Sequence, residues 1–126
     1  MIELIDVQQL KHIENFSRKK VLWLRDKIVN DGMWTIPIKI ESTKGLVLDG
    51  QHRMEVAKLM ALSRIPCVKY NYADVEIWSL RKNHIISHEM VIDRALKGDI
   101  YPYKTVKHRF PFGADARCAY TLESLF

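Results

Sequence analysis

The stretch from Leu46 to Met60, LVLDGQHRMEVAKLM, leaves the chain few ways to fold. Its apolar opening reads as a strand, its single glycine as a tight turn, and its Met- and Ala-bearing continuation, poor in β-branched residues, as a helix. Strand and helix meet at Gly50, and three ionisable residues, Asp49, His52 and Arg53, crowd around it. A hydrophobic core has no use for such a cluster.

The flanking sequence supplies matching elements. IELIDV at 2–7 alternates apolar and polar residues as a short strand does. Ser17 is placed to cap a helix running to about Asn30, with Val21, Leu24 and Ile28 on one face and Gly32 beyond its end. IPIKI at 36–40 is a strand whose Pro37 suits an edge position or a strand start, and STKG at 42–45 is a turn. The helix after Gly50 is expected to end near Leu62 and Ser63, and RIPCVKYNY follows as a strand. VEIWSL at 75–80 fits either a strand or a lead into a helix. Ser87 caps a helix to Lys97 that Gly98 stops and Pro102 prevents from resuming. From Gly98 to Phe126 the chain is aromatic-rich and poorly periodic, which predicts loops around one short helix near the end. The sum is one compact α+β domain over 1–126, a small mixed sheet with flanking helices.

A chain of 126 residues with 48% apolar content has room for a single core of ordinary size. No apolar run approaches the roughly 20 residues of a membrane span, and the acidic start MIELIDVQQLKHIEN is unlike a signal peptide. Cys67 and Cys118 lack metal-ligand spacing and read as free thiols of a reducing cytoplasm. The net charge of +5 and a pI near 9.3 suit small anionic partners such as nucleotides or phosphorylated metabolites, although scattered charge also describes a plain solvated surface. Apart from SRKK at 17–20 and KHR at 107–109 there is no basic arm, so nucleic acid is not an expected partner.

At Asp49–Arg53 a glycine turn opens a helix, which gathers unpaired backbone N–H groups and the positive end of the helix dipole at one spot. That is an anion site. Arg53 can fork onto phosphate oxygens, His52 can donate to them, and Asp49 can hold a divalent metal or orient a proton. The plainer alternative is an Asp49–Arg53 ion pair that stiffens the turn, with His52 idle.

DGQHR at 49–53, together with HIEN at 12–15, PIKI at 37–40, Trp78 and GDIYPYKTVKHRFP at 98–111, resembles in order the pattern of the free L-serine kinases of the ParB/sulfiredoxin fold. The resemblance spans nearly the whole chain. It implies transfer of a phosphoryl group from ATP or ADP to free L-serine, giving O-phospho-L-serine, with Mg2+ on Asp49. It makes Glu14 and Asp49 the catalytic carboxylates, with Glu14 taking the proton of the serine hydroxyl, and Gly50, Gln51, His52 and Arg53 the nucleotide-binding turn. Trp78, Lys104, Thr105, His108 and Arg109 become the substrate-binding set, carried on a segment, 98–126, that closes over substrate. Gln51 stands where the family often has histidine. The resemblance also implies a longer C-terminal region than a chain ending at Phe126 holds. DGQHR lacks the cysteine of sulfiredoxin chemistry, and no length remains for the helix-turn-helix domain of a partition protein.

Each assignment has a plainer counterpart. Glu14 suits a solvated loop, Lys104–Arg109 a basic surface loop, and Trp78 the core. Trp23 and Trp34 read as core or rim, and His12, His84 and His88 show no zinc spacing. At the level of function the alternatives are a non-enzymatic ParB-like regulator that binds nucleotide, which has no need of a base opposite its phosphate turn, and a ParB-like nuclease, which rests on fold analogy alone.

Overall fold

The computed structural model describes residues 1–111 and 116–126. Its order is β1 (Ile2–Asp6), α1 (Arg18–Asp31), β2 (Met33–Trp34), β3 (Ile38–Glu41), β4 (Val47–Asp49), α2 (Gln51–Leu59), β5 (Arg64–Tyr70), β6 (Glu76–Ser79), α3 (His88–Lys97), β7 (Val106–Arg109) and β8 (Tyr120–Thr121). The main sheet has the order β1-β5-β3-β4. Its outer pairs are antiparallel and its central β3–β5 pair is parallel, so the sheet is mixed. Two ribbons, β2–β8 and β6–β7, stand apart from it.

The local signals act where the sequence places them. Ser17 Oγ accepts the Lys20 N–H and starts α1, and Gly32 ends it in the left-handed region at φ 67°. Ser87 and Gly98 do the same for α3. Pro37 marks a strand start, since β3 begins at Ile38 and lies inside the sheet.

Strand β4 explains why LVL is apolar without alternation. Val47 packs into a core with Val21, Leu24 and Ile28 of α1, Met54 and Ala57 of α2, and Trp34. Leu46 and Leu48 point the other way, into a second core with Ile13, Tyr72, Val75, Val91 and Tyr101. A strand buried on both faces reads as a continuous apolar run. Its last residue, Asp49, emerges exposed beside the start of α2.

The C-terminal region keeps the expected short helix near its end but departs from expectation in its strands. Within 98–126, β7 pairs antiparallel with β6, β8 pairs with β2, and a 3-10 turn, Leu122–Leu125, closes the chain. Short strands whose partners lie distant in sequence carry little periodicity of their own, so the region resembles loop when read alone.

Candidate active site

Gly50 sits at φ 117°, and a Cβ there would fall 2.9 Å from Ile38 Cγ1. The turn therefore requires glycine on two counts, its conformation and its close approach to β3. Gly50 is also the N-cap of α2 and offers no capping side chain. The first N–H groups of that helix thus open toward a cavity of about 600 Å³, lined by Gly50, Gln51, His52 and Arg53 together with parts of α1, β3, β4 and β7.

Cations dominate the lining. Lys20 and Lys27 of α1, Lys39 of β3, Arg53 and Lys107 face two acids, Glu14 and Asp49. Asp49 Oδ2 lies 3.8 Å from Lys39 Nζ, and among the described residues no Asp49–Arg53 salt bridge forms. Arg53 is half-buried. Burial pulls its guanidinium below its ordinary value, Asp49 opposes that pull, and Arg117 adds to it. A partly desolvated guanidinium beside open helix N–H groups is a strong attractor for a phosphate-like anion.

Glu14 approaches from the far side in sequence. The residue bridges to Tyr101, and its Oε1 accepts the N–H of Thr105 at 3.0 Å and of Val106 at 2.7 Å. Burial raises the carboxyl above its ordinary value, while the N–H groups of Val106, Thr105 and Lys104 work against that rise. A carboxylate fixed in place with a raised proton affinity has the attributes of a general base. It lines the same cavity as the Gly50 turn.

His12 of HIEN and Gln51 of DGQHR, with Glu55 one turn further along α2, hold the two segments together. Gln51 donates its amide to Val47 O, and its Oε1 meets His12 Nδ1 at 2.6 Å. The other ring nitrogen of His12 lies 2.8 Å from Glu55 Oε2. Gln51 is thus spent on structure, and only its backbone is available to a ligand. His52 Nε2 accepts the Ser17 N–H at 3.1 Å, which fixes the tautomer and leaves Nδ1–H as the ring's donor. Burial, then Lys20, His12 and Arg53, lower its proton affinity, so His52 is a neutral donor.

The second expected cluster divides. His108 lines the cavity, and its Nε2 lies 2.9 Å from Tyr72 Oη. Burial, followed by the charges of His88 and Lys107, lowers His108 to about 4, and burial pushes the Tyr72 phenol up. The phenol therefore donates, the imidazole accepts, and His108 keeps Nδ1–H for a ligand. Thr105 is fully buried, gives its hydroxyl to Pro102 O and its N–H to Glu14, and so positions rather than contacts. Lys104 adopts φ 57° and lays its ammonium over the Tyr103 ring. Arg109 faces solvent 3.8 Å from Glu76. Trp78, 41% exposed on β6, is absent from the cavity wall. Of this set, His108 alone lines the cavity.

Several lining residues escape a reading by sequence. Lys20, Lys39, Lys107 and Phe110 stand in stretches that the sequence singles out, yet none is marked there as a site residue; helix α1, the sheet and the ribbon bring them to one place. Lys39 also holds its ammonium 4.6 Å from the Phe110 ring. The strand pattern of 106–109, had it been read as such, would have drawn attention to Lys107 beside His108. Thiol chemistry has no place here. Neither cysteine lines the cavity, and burial pushes the Cys67 thiol up to about 12.

No family model and no curated protein matches the chain in sequence. Solved structures do match. A free serine kinase in complex with AMP superposes with a TM-score of 0.89 at 15% identity, over 99% of this chain and 93% of that one. The chain has the fold of a free serine kinase. A glutamate-to-alanine variant of free serine kinase in complex with ADP gives 0.88 at 14% identity, over 99% and 94%. SbnI with C-terminal truncation from Staphylococcus aureus gives 0.84 at 11% identity, over 98% and 88%. Because the likeness runs across 93% of the kinase chain, the expectation of a missing C-terminal region is not met. No helix among the described residues is long and apolar enough to cross a membrane.

Proposed function

We propose that this protein is a nucleotide-dependent kinase that phosphorylates free L-serine to O-phospho-L-serine, with ATP or ADP as donor. One observation carries the reading: a carboxylate of raised proton affinity, Glu14, shares a cavity with an open, cation-flanked helix N-terminus at Gly50–Arg53. A phosphate site alone would serve a sensor. A half-buried base opposite it serves chemistry.

In this reading the α2 N–H groups, Arg53 and the His52 Nδ1–H hold the nucleotide phosphates. Glu14 takes the proton of the serine hydroxyl as the oxygen attacks the terminal phosphorus, and the P–O bond to the departing nucleotide breaks. Lys107 and the His108 Nδ1–H receive the serine carboxylate or the transferring phosphoryl group, both anionic. Most of the acceleration comes from alignment and charge neutralisation. Segment 98–126 acts as the substrate-side wall, through Val106, Lys107, His108 and Phe110. Residues 112–115 of that segment lie outside the described ones.

The donor set fits Mg2+ as a nucleotide-borne ion. No group of three His, Cys, Asp or Glu side chains that could cage a metal occurs among the described residues, but magnesium is commonly held by one or two carboxylates plus substrate phosphates. Asp49, exposed at the cavity, is the residue that would hold it. When bound, the ion would offset charge on the phosphates.

The test is direct. Purified protein incubated with L-serine, Mg2+ and either ADP or ATP is expected to form phosphoserine, read by mass spectrometry, at a rate that depends on Glu14. Nucleotide binding without phosphoserine from either donor would leave a nucleotide-binding regulator in its place.

A further inference from the structure

The three tryptophans differ sharply in exposure. Trp34 is 1% exposed and belongs to the core, whereas Trp23 is 62% exposed, although it sits in the middle of α1. Trp23 also lines the cavity, between Lys20 and Lys27 in sequence. Spacings of three and four residues put Lys20, Trp23 and Lys27 on one helix face, rising about 10 Å from first lysine to last. At the near end, the charge of Lys20 bears on His52 of the phosphate turn. Farther along, the indole ring stands open with the Lys27 ammonium 5.8 Å from its centroid. This one face thus presents a cation at the phosphate turn, then an exposed aromatic plane, then a second cation.

An indole left to solvent at a cavity rim suits a flat, electron-rich ring. We infer that Trp23 is the stacking platform for the base of the bound nucleotide, and that Lys27 flanks that base. The inference rests on the proposed nucleotide site and adds to it where the base lies and what sets base preference. Stacking on an aromatic face tolerates any base, because each presents a π surface. The site should therefore accept guanine as well as adenine nucleotides, and favour purines over pyrimidines through the larger overlap. The apolar alternative, a rim tryptophan that docks another protein, does not account for the lysines on either side.

Calorimetric titration of wild type, Trp23→Phe and Trp23→Ala with ADP and with inorganic pyrophosphate tests this. Pyrophosphate keeps the phosphates and lacks the base. Trp23→Ala should weaken ADP about 10- to 100-fold, the usual size of one base–aromatic stack, and leave pyrophosphate unchanged. Trp23→Phe should keep most of the ADP affinity. Quenching of indole fluorescence by ADP should disappear in Trp23→Phe, with Trp34 and Trp78 still present as internal reporters. Equal losses for ADP and pyrophosphate would assign Trp23 to the phosphate site or to folding and overturn the inference, as would unchanged ADP affinity in Trp23→Ala. If wild type binds pyrophosphate and ADP equally, the base has no platform and the inference also fails, while the phosphate site survives. If wild type binds neither, the nucleotide site itself is refuted. Because Trp23 is largely exposed, the variants should melt as wild type does.

Discussion

The turn at Asp49–Arg53 and the segment Val106–His108 line one cavity, yet they owe their shapes to different parts of the chain. The turn is built locally: β4 delivers Asp49, Gly50 adopts φ 117°, and α2 begins at the next residue. The segment takes its form from afar. β7 exists because β6, some thirty residues earlier, pairs with it through Trp78↔Lys107 and Ile77↔His108, and the loop before it is held by Glu14, ninety-one residues distant from Thr105. The first region should therefore answer to substitutions within itself. The second should answer most to substitutions elsewhere.

Glu14→Gln gives the largest expected effect and joins the two regions. The amide keeps an oxygen to accept the Thr105 and Val106 N–H groups but cannot take a proton. Phosphoserine formation should fall about 10²- to 10⁴-fold, with kcat affected more than the KM for serine, while ADP affinity stays within a few-fold. Stability should hold at about pH 7, because a carboxyl raised by burial opposes folding once ionised, and Gln removes that charge. Equal phosphoserine production by both proteins would sink Glu14 as the base. A loss of ADP affinity equal to the loss of rate would merge the two regions into one binding surface.

Arg53→Ala comes next and tests the local region alone. Removing a charged phosphate contact costs about 1.5–3 kcal/mol, or roughly 10- to 150-fold in ADP affinity by calorimetry, with an unchanged melting temperature. Wild-type affinity in this variant would take the turn out of the phosphate site. Gly50→Ala should act on folding as well. Its φ is unfavourable to any Cβ, and Ile38, pressed from 2.9 Å, is core; urea unfolding should show a loss of about 2 kcal/mol. Unchanged stability would mean that the tight turn tolerates a side chain.

What the sequence discloses divides along the same line. Ser17, Gly32, Ser87 and Gly98 act on their own neighbours, so both capped helices could be bounded by reading, and DGQHR identified its strand, turn and helix without help. Pairings between distant segments left weaker traces. Val106–Arg109 looks like loop because a four-residue strand beside Pro102 and Pro111 has too few residues to show a period of two. Lys20 and Lys39 lie in quoted stretches, SRKK and PIKI, but nothing in either stretch marks them as cavity residues; helix α1 and the sheet bring them there. Gln51 misled for a related reason. It sits inside the motif, but its amide is captured by His12 and Val47 O, contacts that a linear motif does not reveal.

The smallest expected effect concerns His108, and it asks whether the distant region is as closed as its geometry states. His108 accepts from Tyr72, lies near His88 and Lys107, and is lowered by burial to about 4, against an ordinary 6.5. Below about pH 6.5 the unfolded chain takes up a proton that the folded protein refuses. The contribution to stability is therefore complete above pH 6.5 and is lost as the pH falls toward 4, with a limiting slope of roughly 1.4 kcal/mol per pH unit. His108→Asn removes this titration while keeping a polar side chain next to Tyr72. Urea unfolding of both proteins at pH 7.0 and 5.5 isolates the effect, since His52, also lowered, titrates in both. Wild type should lose about 1 kcal/mol more than His108→Asn over that interval. Equal losses would mean that His108 protonates freely in the folded protein. Below about pH 6.5 it would then meet substrate as a cation, and the β6–β7 ribbon would be open to water rather than sealed by Tyr72.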